Sequence, residues 1–234
     1  AELCANAALR RNHLDHRVAL VACSLPDLTE SLGGFLSGTS RANVISDRRR
    51  EASGAKLAFV FSGQGSQWHG MGRELLREEP VFRESLERCE HLLRRHADWS
   101  LIEQLAADEQ RTRLGEIDVL QPTLFALQVA LAALWRSWGV EPDAVVGHSM
   151  GEAAAAYVAG ALTLEDATAV ICARSRLLKR LSGRGGMAVV GLCVEEAERL
   201  LAGKERELSI AASNSPTATV VSGDTAALAD LVAG

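Results

Sequence analysis

Residues 143–160 read Asp143-Ala144-Val145-Val146-Gly147-His148-Ser149-Met150-Gly151-Glu152-Ala153-Ala154-Ala155-Ala156-Tyr157-Val158-Ala159-Gly160. A short apolar run meets Gly147-x-Ser149-x-Gly151 and passes into an Ala-rich stretch, which predicts a strand, a sharp turn and a helix. Such a turn lifts Ser149 onto a strained strand-to-helix junction with its hydroxyl exposed. It also leaves the backbone N–H of Met150 free at the helix start, where an anion is favoured. The flanking glycines let two backbones pass where a Cβ would clash. By itself the pattern also fits a structural turn; its setting between an apolar strand and a helix points to a nucleophile elbow.

Upstream, Leu57-Ala58-Phe59-Val60-Phe61 predicts a second strand, running into Gly63-Gln64-Gly65-Ser66-Gln67-Trp68-His69-Gly70-Met71-Gly72. Trp68 stands where a dinucleotide fingerprint needs its third glycine, and no Lys-Ser/Thr follows as in a phosphate loop. The stretch is then either a plain connector or a loop that presents a backbone N–H, that of Gln64, beside the elbow as a second oxyanion donor. Between the two strands, helices are expected over 73–95 and 101–106. A long helix is expected to begin at Pro122, with Leu124, Leu127, Leu131, Leu134, Trp135 and Trp138 as its core stripe. Strand, helices, strand and helix in alternation predict a mainly parallel sheet covered on both faces.

Downstream, Thr163 and Asp166 cap a helix expected to run to about Leu181. Ala167, Val170, Ile171, Leu177, Leu178 and Leu181 form one stripe at about 100° per residue, and Arg174 falls in its middle. An inward guanidinium needs a partner, because an unpaired interior charge is costly. The partner is either an internal acid or the carboxylate of a substrate held near Ser149. After the joint at 183–186 the pattern becomes strand 187–192, helix 194–202, strand 208–212, a turn at Asn214-Ser215-Pro216, strand 217–222 and a helix from Thr225. This is a β-α-β-β-α unit, ferredoxin-like but lacking the last strand of that motif. Residues 1–55 form a small unit of their own, with helix 3–9, a buried strand 17–23, a helix capped by Ser24, and a polar loop and linker over 37–55. The triplet Arg48-Arg49-Arg50 reads there as a solvated patch.

The chain has 234 residues, 47% of them hydrophobic, and a net charge of −5. That allows a real core and gives no basic field for nucleic acid. Cys4, Cys23, Cys89, Cys172 and Cys193 are scattered, odd in number and without a Cys-x-x-Cys. They argue for reduced thiols and a cytoplasmic setting, and against a disulfide framework or a metal site. No leader and no uninterrupted apolar run of membrane-spanning length is evident, and both ends look cut from something longer.

Taken together, Phe61-Ser62-Gly63-Gln64-Gly65-Ser66-Gln67, Asp118-Val119-Leu120-Gln121-Pro122, Gly147-His148-Ser149-Met150-Gly151-Glu152, Arg174 and Asn214-Ser215-Pro216 resemble the acyltransferase domain of modular type I polyketide synthases, related to malonyl-CoA:acyl-carrier-protein transacylases. Residues 1–55 resemble the linker between ketosynthase and acyltransferase. The resemblance implies an α/β fold: an α/β-hydrolase-like large subdomain with a parallel sheet (56–184), an inserted ferredoxin-like small subdomain (185–234) and a small α/β linker domain (1–55).

It further implies that Ser149 attacks an acyl-CoA thioester while the N–H groups of Gln64 and Met150 hold the oxyanion. Arg174 would bind the carboxylate of a malonyl-type acyl group, and Gln121 would line the site. The acceptor would be the phosphopantetheine thiol of an acyl carrier protein, the ketosynthase would adjoin in the same polypeptide, and the domain would hold no cofactor or metal of its own. The family's histidine base lies in a segment beyond residue 234, so the base is expected to be absent from the chain and the catalytic set incomplete. Among the six histidines, His69 is the least unsuitable stand-in and His148 is expected to pack or hydrogen-bond at the elbow.

Glu116-Ile117-Asp118-Val119 resembles the stretch that accompanies methylmalonyl selection, but with Glu where Arg is usual. Met150 matches neither the Gln of methylmalonyl types nor the branched residue of malonyl types. The reading favours methylmalonyl slightly over malonyl. A serine hydrolase or thioesterase shares the elbow but has no use for Arg174, and a non-catalytic scaffold would leave Ser149 unacylated.

Overall fold

The computed structural model describes residues 2–39, 41–49 and 56–233, and the chain divides into two compact units, 1–55 and 56–234. The first contains α1 (Glu2–Leu9), β1 (His16–Leu20), α2 (Leu25–Leu36) and β2 (Val44–Arg48). Ser24 caps α2 by accepting the Asp27 N–H at 3.2 Å, and Pro26 occupies the first turn, where its missing N–H costs nothing. Two expectations are corrected here. β1 is largely exposed rather than buried, and the stretch expected as loop contains β2, which pairs with β1 antiparallel from His16 opposite Arg48 to Leu20 opposite Val44. A ribbon facing water tolerates Ser46, Asp47 and Arg48 in a strand, so no apolar alternation announces it. Ser40 and residues 50–55 of that stretch, Arg50 included, lie outside the described residues.

The second unit begins with β3 (Ala58–Phe61), which lies parallel to β4 (Ala144–Gly147), Ala58 opposite Ala144 and Phe61 opposite Gly147. Between them run α3 (Arg73–Glu78), α4 (Pro80–Leu93), α5 (Leu101–Ala106) and α6 (Ile117–Ser137). After the elbow come α7 (Gly151–Val158) and α8 (Leu164–Leu181). The helix expected over 73–95 is two helices. Pro80 forces Glu79 into an extended conformation (φ −107°, ψ 104°) and then starts α4 at its first turn.

α6 begins five residues before Pro122, at Ile117, and carries that proline inside. The burial of Val119, Leu120 and Gln121 in the same turns offsets the hydrogen bond a proline removes. It is long and apolar enough to cross a membrane, which the sequence reading did not see, but most of it is buried as the core helix of this unit. Trp135 and Trp138 leave that core. They stand about half exposed in an edge-to-face pair with ring centroids 5.3 Å apart, because α6 is buried nearly all round near its start and emerges towards its end. The core joins Phe61 of β3, Phe82 and Leu86 of α4, Phe125 and Val129 of α6, Ala154 of α7 and Ile171 of α8. It lies on one face of the β3–β4 pair, whose other face exposes Val60 and Val146.

The remaining elements are β5 (Gly186–Val190), α9 (Val194–Leu201), β6 (Leu208–Ser215), β7 (Ala218–Gly223) and α10 (Thr225–Ala233). β5 and β6 each pair antiparallel with β7 in the order β5-β7-β6, around a core of Leu201, Leu208, Val221 and Leu228. The β-α-β-β-α reading holds with one change: Asn214 and Ser215 belong to β6, and an irregularity in register between Ser213 and Ser215 re-aims that end of the strand.

Candidate active site

Ser149 is the one described non-glycine residue with positive φ, at 54°. A side chain in that left-handed region is strained, and its neighbours over-determine it. His148 N–H donates to Phe61 O at 2.9 Å, Gly151 N–H to His148 O at 3.0 Å and Glu152 N–H to Ser149 O at 3.1 Å, closing the turn onto β3 and opening α7. The flanking glycines are demanded by space. A Cβ at Gly151 would stand 2.2 Å from Phe61 O, and one at Gly147 would stand 2.4 Å from Glu152 Cα, both against backbone that cannot yield. Gly147→Ala is therefore expected to cost ~3 kcal/mol, lowering the thermal midpoint by about 6–12 °C. An unchanged midpoint by calorimetry would contradict the packing account.

Gly63 brings the Gly-rich loop against this turn. A Cβ at Gly63 would lie 2.9 Å from His148 Nδ1 and 3.5 Å from Ser149 Cβ, so Gln64 follows directly at the nucleophile. The backbone N–H groups of Met150 and Gln64 donate to nothing among the described residues. Two unspent donors beside an exposed hydroxyl are what a developing oxyanion requires. The Met150 side chain, by contrast, is buried in the core, so this residue offers the site its backbone alone.

Arg174 of α8 reaches the same point. One of its terminal nitrogens donates to Ser149 Oγ at 2.9 Å and the other to Gln121 Oε1 at 2.5 Å, while Gln121 Nε2 donates to Gln64 Oε1 at 3.3 Å. Ser149, Arg174, Gln121 and Gln64 thus form one connected set, and Gln121 is buried within it. The partner of the guanidinium is an amide and a hydroxyl, not an internal acid. Such neutral groups hold an arginine in place and leave its charge uncompensated for an incoming carboxylate.

The stripe from which Arg174 was expected to point inward is corrected. α8 buries Ala167, Thr168, Ile171, Cys172 and Ser175, whereas Val170, Leu177 and Leu181 are exposed. Arg174 sits half-buried on the flank of that face. Small residues let α8 lie close against α6 and α7, so side-chain size rather than hydrophobicity marks the seam.

Among the described residues no histidine lies within hydrogen-bond reach of Ser149 Oγ. His148 is exposed at the elbow with Nε2 3.1 Å from Asn214 Oδ1, tying β6 to the turn. His69, the suggested stand-in, has its Nε2 3.1 Å from an Arg73 nitrogen. The five cysteines are free thiols, and burial pushes Cys89 up to about 12 and Cys172 up to about 11, so neither is a thiolate near neutrality. Among the described residues no cluster of metal-ligating side chains occurs.

A charged cluster that the sequence reading did not assemble stands behind Gln121. Lys179 Nζ lies 2.8 Å from Glu116 Oε2 and 2.8 Å from Asp118 Oδ1, and Arg113 holds Glu116 through Nε at 2.7 Å and a terminal nitrogen at 3.0 Å. Hydrogen bonds from Arg113, then from Lys179, bring the Glu116 carboxyl down to about 2. With the folded pKa depressed, the contribution of this carboxylate is complete above its ordinary value of 4.5 and is lost as pH falls towards 2. An NMR titration following the Glu116 side-chain carboxyl carbon is expected to show its midpoint near the lower value, and a midpoint near 4.5 would mean the cluster does not form in solution.

Residues 58–234 match the family model described as the acyl transferase domain. The chain is 50% identical over 227 residues to polyketide synthase GfsE of Streptomyces halstedii, covering 97% of this chain and 6% of that protein. Its structure is similar to the acyltransferase domain from module 8 of the salinomycin polyketide synthase, with TM-score 0.86 and 40% identity, covering 97% of this chain and 54% of the other. It is also similar to the acyltransferase domain of SpnD, solved in complex with 2-(pent-4-yn-1-yl)malonyl, with TM-score 0.81 and 33% identity, covering 99% of this chain and 53% of that one. The chain thus spans about half the length of these solved domains and a small part of the curated relative.

Proposed function

Since this chain belongs to the acyl transferase domain family, in the form found in modular polyketide synthases, we propose that it moves a malonyl-type acyl group from coenzyme A to an acyl carrier protein through an ester on Ser149. The observation that carries the substrate class is the 2.9 Å contact between the Arg174 guanidinium and Ser149 Oγ. A cation beside the attacking oxygen is in place to meet a carboxylate close to the attacked carbonyl, as in malonyl and its 2-substituted forms. The malonyl-type group seen on the SpnD domain accords with this.

In the first step Ser149 Oγ attacks the thioester carbonyl carbon, and the oxyanion settles between the N–H groups of Met150 and Gln64. As Oγ attacks, its proton passes to a base; the C–S bond then breaks and the base returns that proton to the departing sulfur, so CoA leaves as the thiol. In the second step the phosphopantetheine thiol of the carrier protein attacks the ester carbonyl, and Ser149 recovers its proton. With His148 turned to Asn214 and His69 to Arg73, the proposed base is a histidine outside residues 1–234. A ketosynthase in the same polypeptide is the proposed neighbour. Methylmalonyl is favoured slightly over malonyl on the Glu116-Ile117-Asp118-Val119 stretch.

Intact-protein mass spectrometry of the full polypeptide mixed with malonyl-, methylmalonyl- and acetyl-CoA in competition tests this reading. One carboxylated acyl adduct is expected, passing to carrier protein when that is added. Absence of an adduct would favour a scaffold, and CoA release by hydrolysis without preference for carboxylated groups would favour a hydrolase.

A further inference from the structure

The apolar packing of α8 ends at Ser175. Beyond it Leu177 and Leu181 are exposed, so the last turns of the helix are not held down by hydrophobic contact. They are held by Lys179, whose ammonium is bracketed by Glu116 and Asp118 at 2.8 Å each. Asp118 is the least exposed of the three side chains, at 19%. Glu116 is the N-cap of α6 and Asp118 lies in its first turn, three residues before Gln121.

The start of α6 and the end of α8 are therefore joined twice: by Arg174 to Gln121 through one hydrogen bond of 2.5 Å, and by Lys179 to Glu116 and Asp118 through charge. Past Lys179 the chain leaves α8 through Ser182 and Gly183, with Gly183 at φ 79°. The residues Gln64, Glu116, Lys179, Gly185 and Ser222 line one cleft of about 910 Å³ beside this exit. Without the ammonium, two carboxylates at the head of α6 would face each other, and the end of α8 would be tied to α6 by Arg174 alone, with Arg176 held only at 3.3 Å to His96 O.

Resting on the reading of Arg174 given above, we propose that Lys179 is a positioning residue. Its bracket by Glu116 and Asp118 fixes the end of α8 against α6 so that the guanidinium of Arg174 stands at Ser149, and it thereby sets the preference for carboxylated over plain acyl groups. The stretch Glu116-Ile117-Asp118-Val119 acts in this account by gripping the helix that carries the arginine, without touching the acyl group.

The test measures acylation of the full polypeptide by malonyl-CoA and by acetyl-CoA, for Lys179→Met, Lys179→Arg, Asp118→Asn and Arg174→Ala. Lys179→Met is expected to lower the malonyl-to-acetyl preference about fivefold, chiefly as a raised KM for malonyl-CoA with kcat little changed. Lys179→Arg should restore it, and rising ionic strength should erode the wild-type preference, since these charges are partly exposed. Asp118→Asn removes the bracket from the other helix and is expected to act in the same direction, which keeps the test decisive should Lys179→Met fail to fold. The proposal is overturned if the Lys179 and Asp118 variants keep the wild-type preference while Arg174→Ala loses it. If Arg174→Ala also keeps the preference, the assignment of Arg174 as the carboxylate clamp fails, and this inference goes with it.

Discussion

Ser149→Ala is expected to abolish the acyl-enzyme altogether: no mass increment with any acyl-CoA, and no labelled carrier protein above the uncatalysed exchange. Among the described residues no other hydroxyl and no thiol meets the Arg174 guanidinium. The buried thiols of Cys89 and Cys172 are held protonated by desolvation, and the unspent N–H groups of Met150 and Gln64 belong to the elbow and to the loop packed against it. Loss of an activated nucleophile removes the covalent route as a whole, a deficit on the order of 10³-fold or more in kcat. Alanine retains the Cβ and the backbone preference of serine, so the turn and its contacts to Phe61 stay in place. A thermal midpoint within about 1 °C of the parent would show that the loss is chemical. An adduct that persists in Ser149→Ala would move the nucleophile elsewhere.

Arg174→Ala is expected to invert selectivity where Ser149→Ala removes activity. The guanidinium offers two charge-assisted hydrogen bonds to a carboxylate, each worth about 1.5–3 kcal/mol, so acylation by malonyl- or methylmalonyl-CoA should fall by about 10²-fold or more. Acetyl transfer needs no such partner and should hold or rise, because Ser149 Oγ is freed from the hydrogen bond it now accepts. Competition mass spectrometry reads both outcomes at once. A uniform decline across carboxylated and plain acyl groups would mean that Arg174 merely supports the turn. Arg174→Lys tests the geometry as well: an ammonium keeps the charge but cannot span Gln121 and Ser149 as the planar fork does, so an intermediate preference is expected.

The elbow was legible because its constraints are local. Gly147 and Gly151 meet backbone at under 3 Å, and a requirement that absolute leaves its mark as a residue type at a fixed spacing. The same holds for the cap of α8 at Thr163 and for the β-α-β-β-α unit, where punctuation and periodicity agree. Loop placement and helical periodicity offered Gln64 and Arg174 as neighbours of Ser149 among other readings, whereas Gln121 came from a resemblance alone, since nothing in a sequence says which helices touch.

The face of α8 was misread for a physical reason. Its seam is made of alanine, threonine, cysteine and serine, while three of its large aliphatic residues stand outside. A stripe drawn through hydrophobic residues therefore put Arg174 in the middle of a buried face when it lies at the edge, and an edge is where a side chain can be both held and reached. The Lys179 bracket escaped notice because surface charges at helix ends are common and only the tertiary pairing of α6 with α8 gives this one a role. β2 was missed because a solvent-facing ribbon needs no apolar code.

The left-handed backbone of Ser149, at φ 54°, sets stability against chemistry at a single position. Such a conformation costs a side chain of this kind about 1–2 kcal/mol, and glycine escapes the penalty. Drift under a demand for stability alone would move the position towards glycine or asparagine. The hydroxyl of Ser149 is thus carried at a cost to stability, written in one dihedral angle.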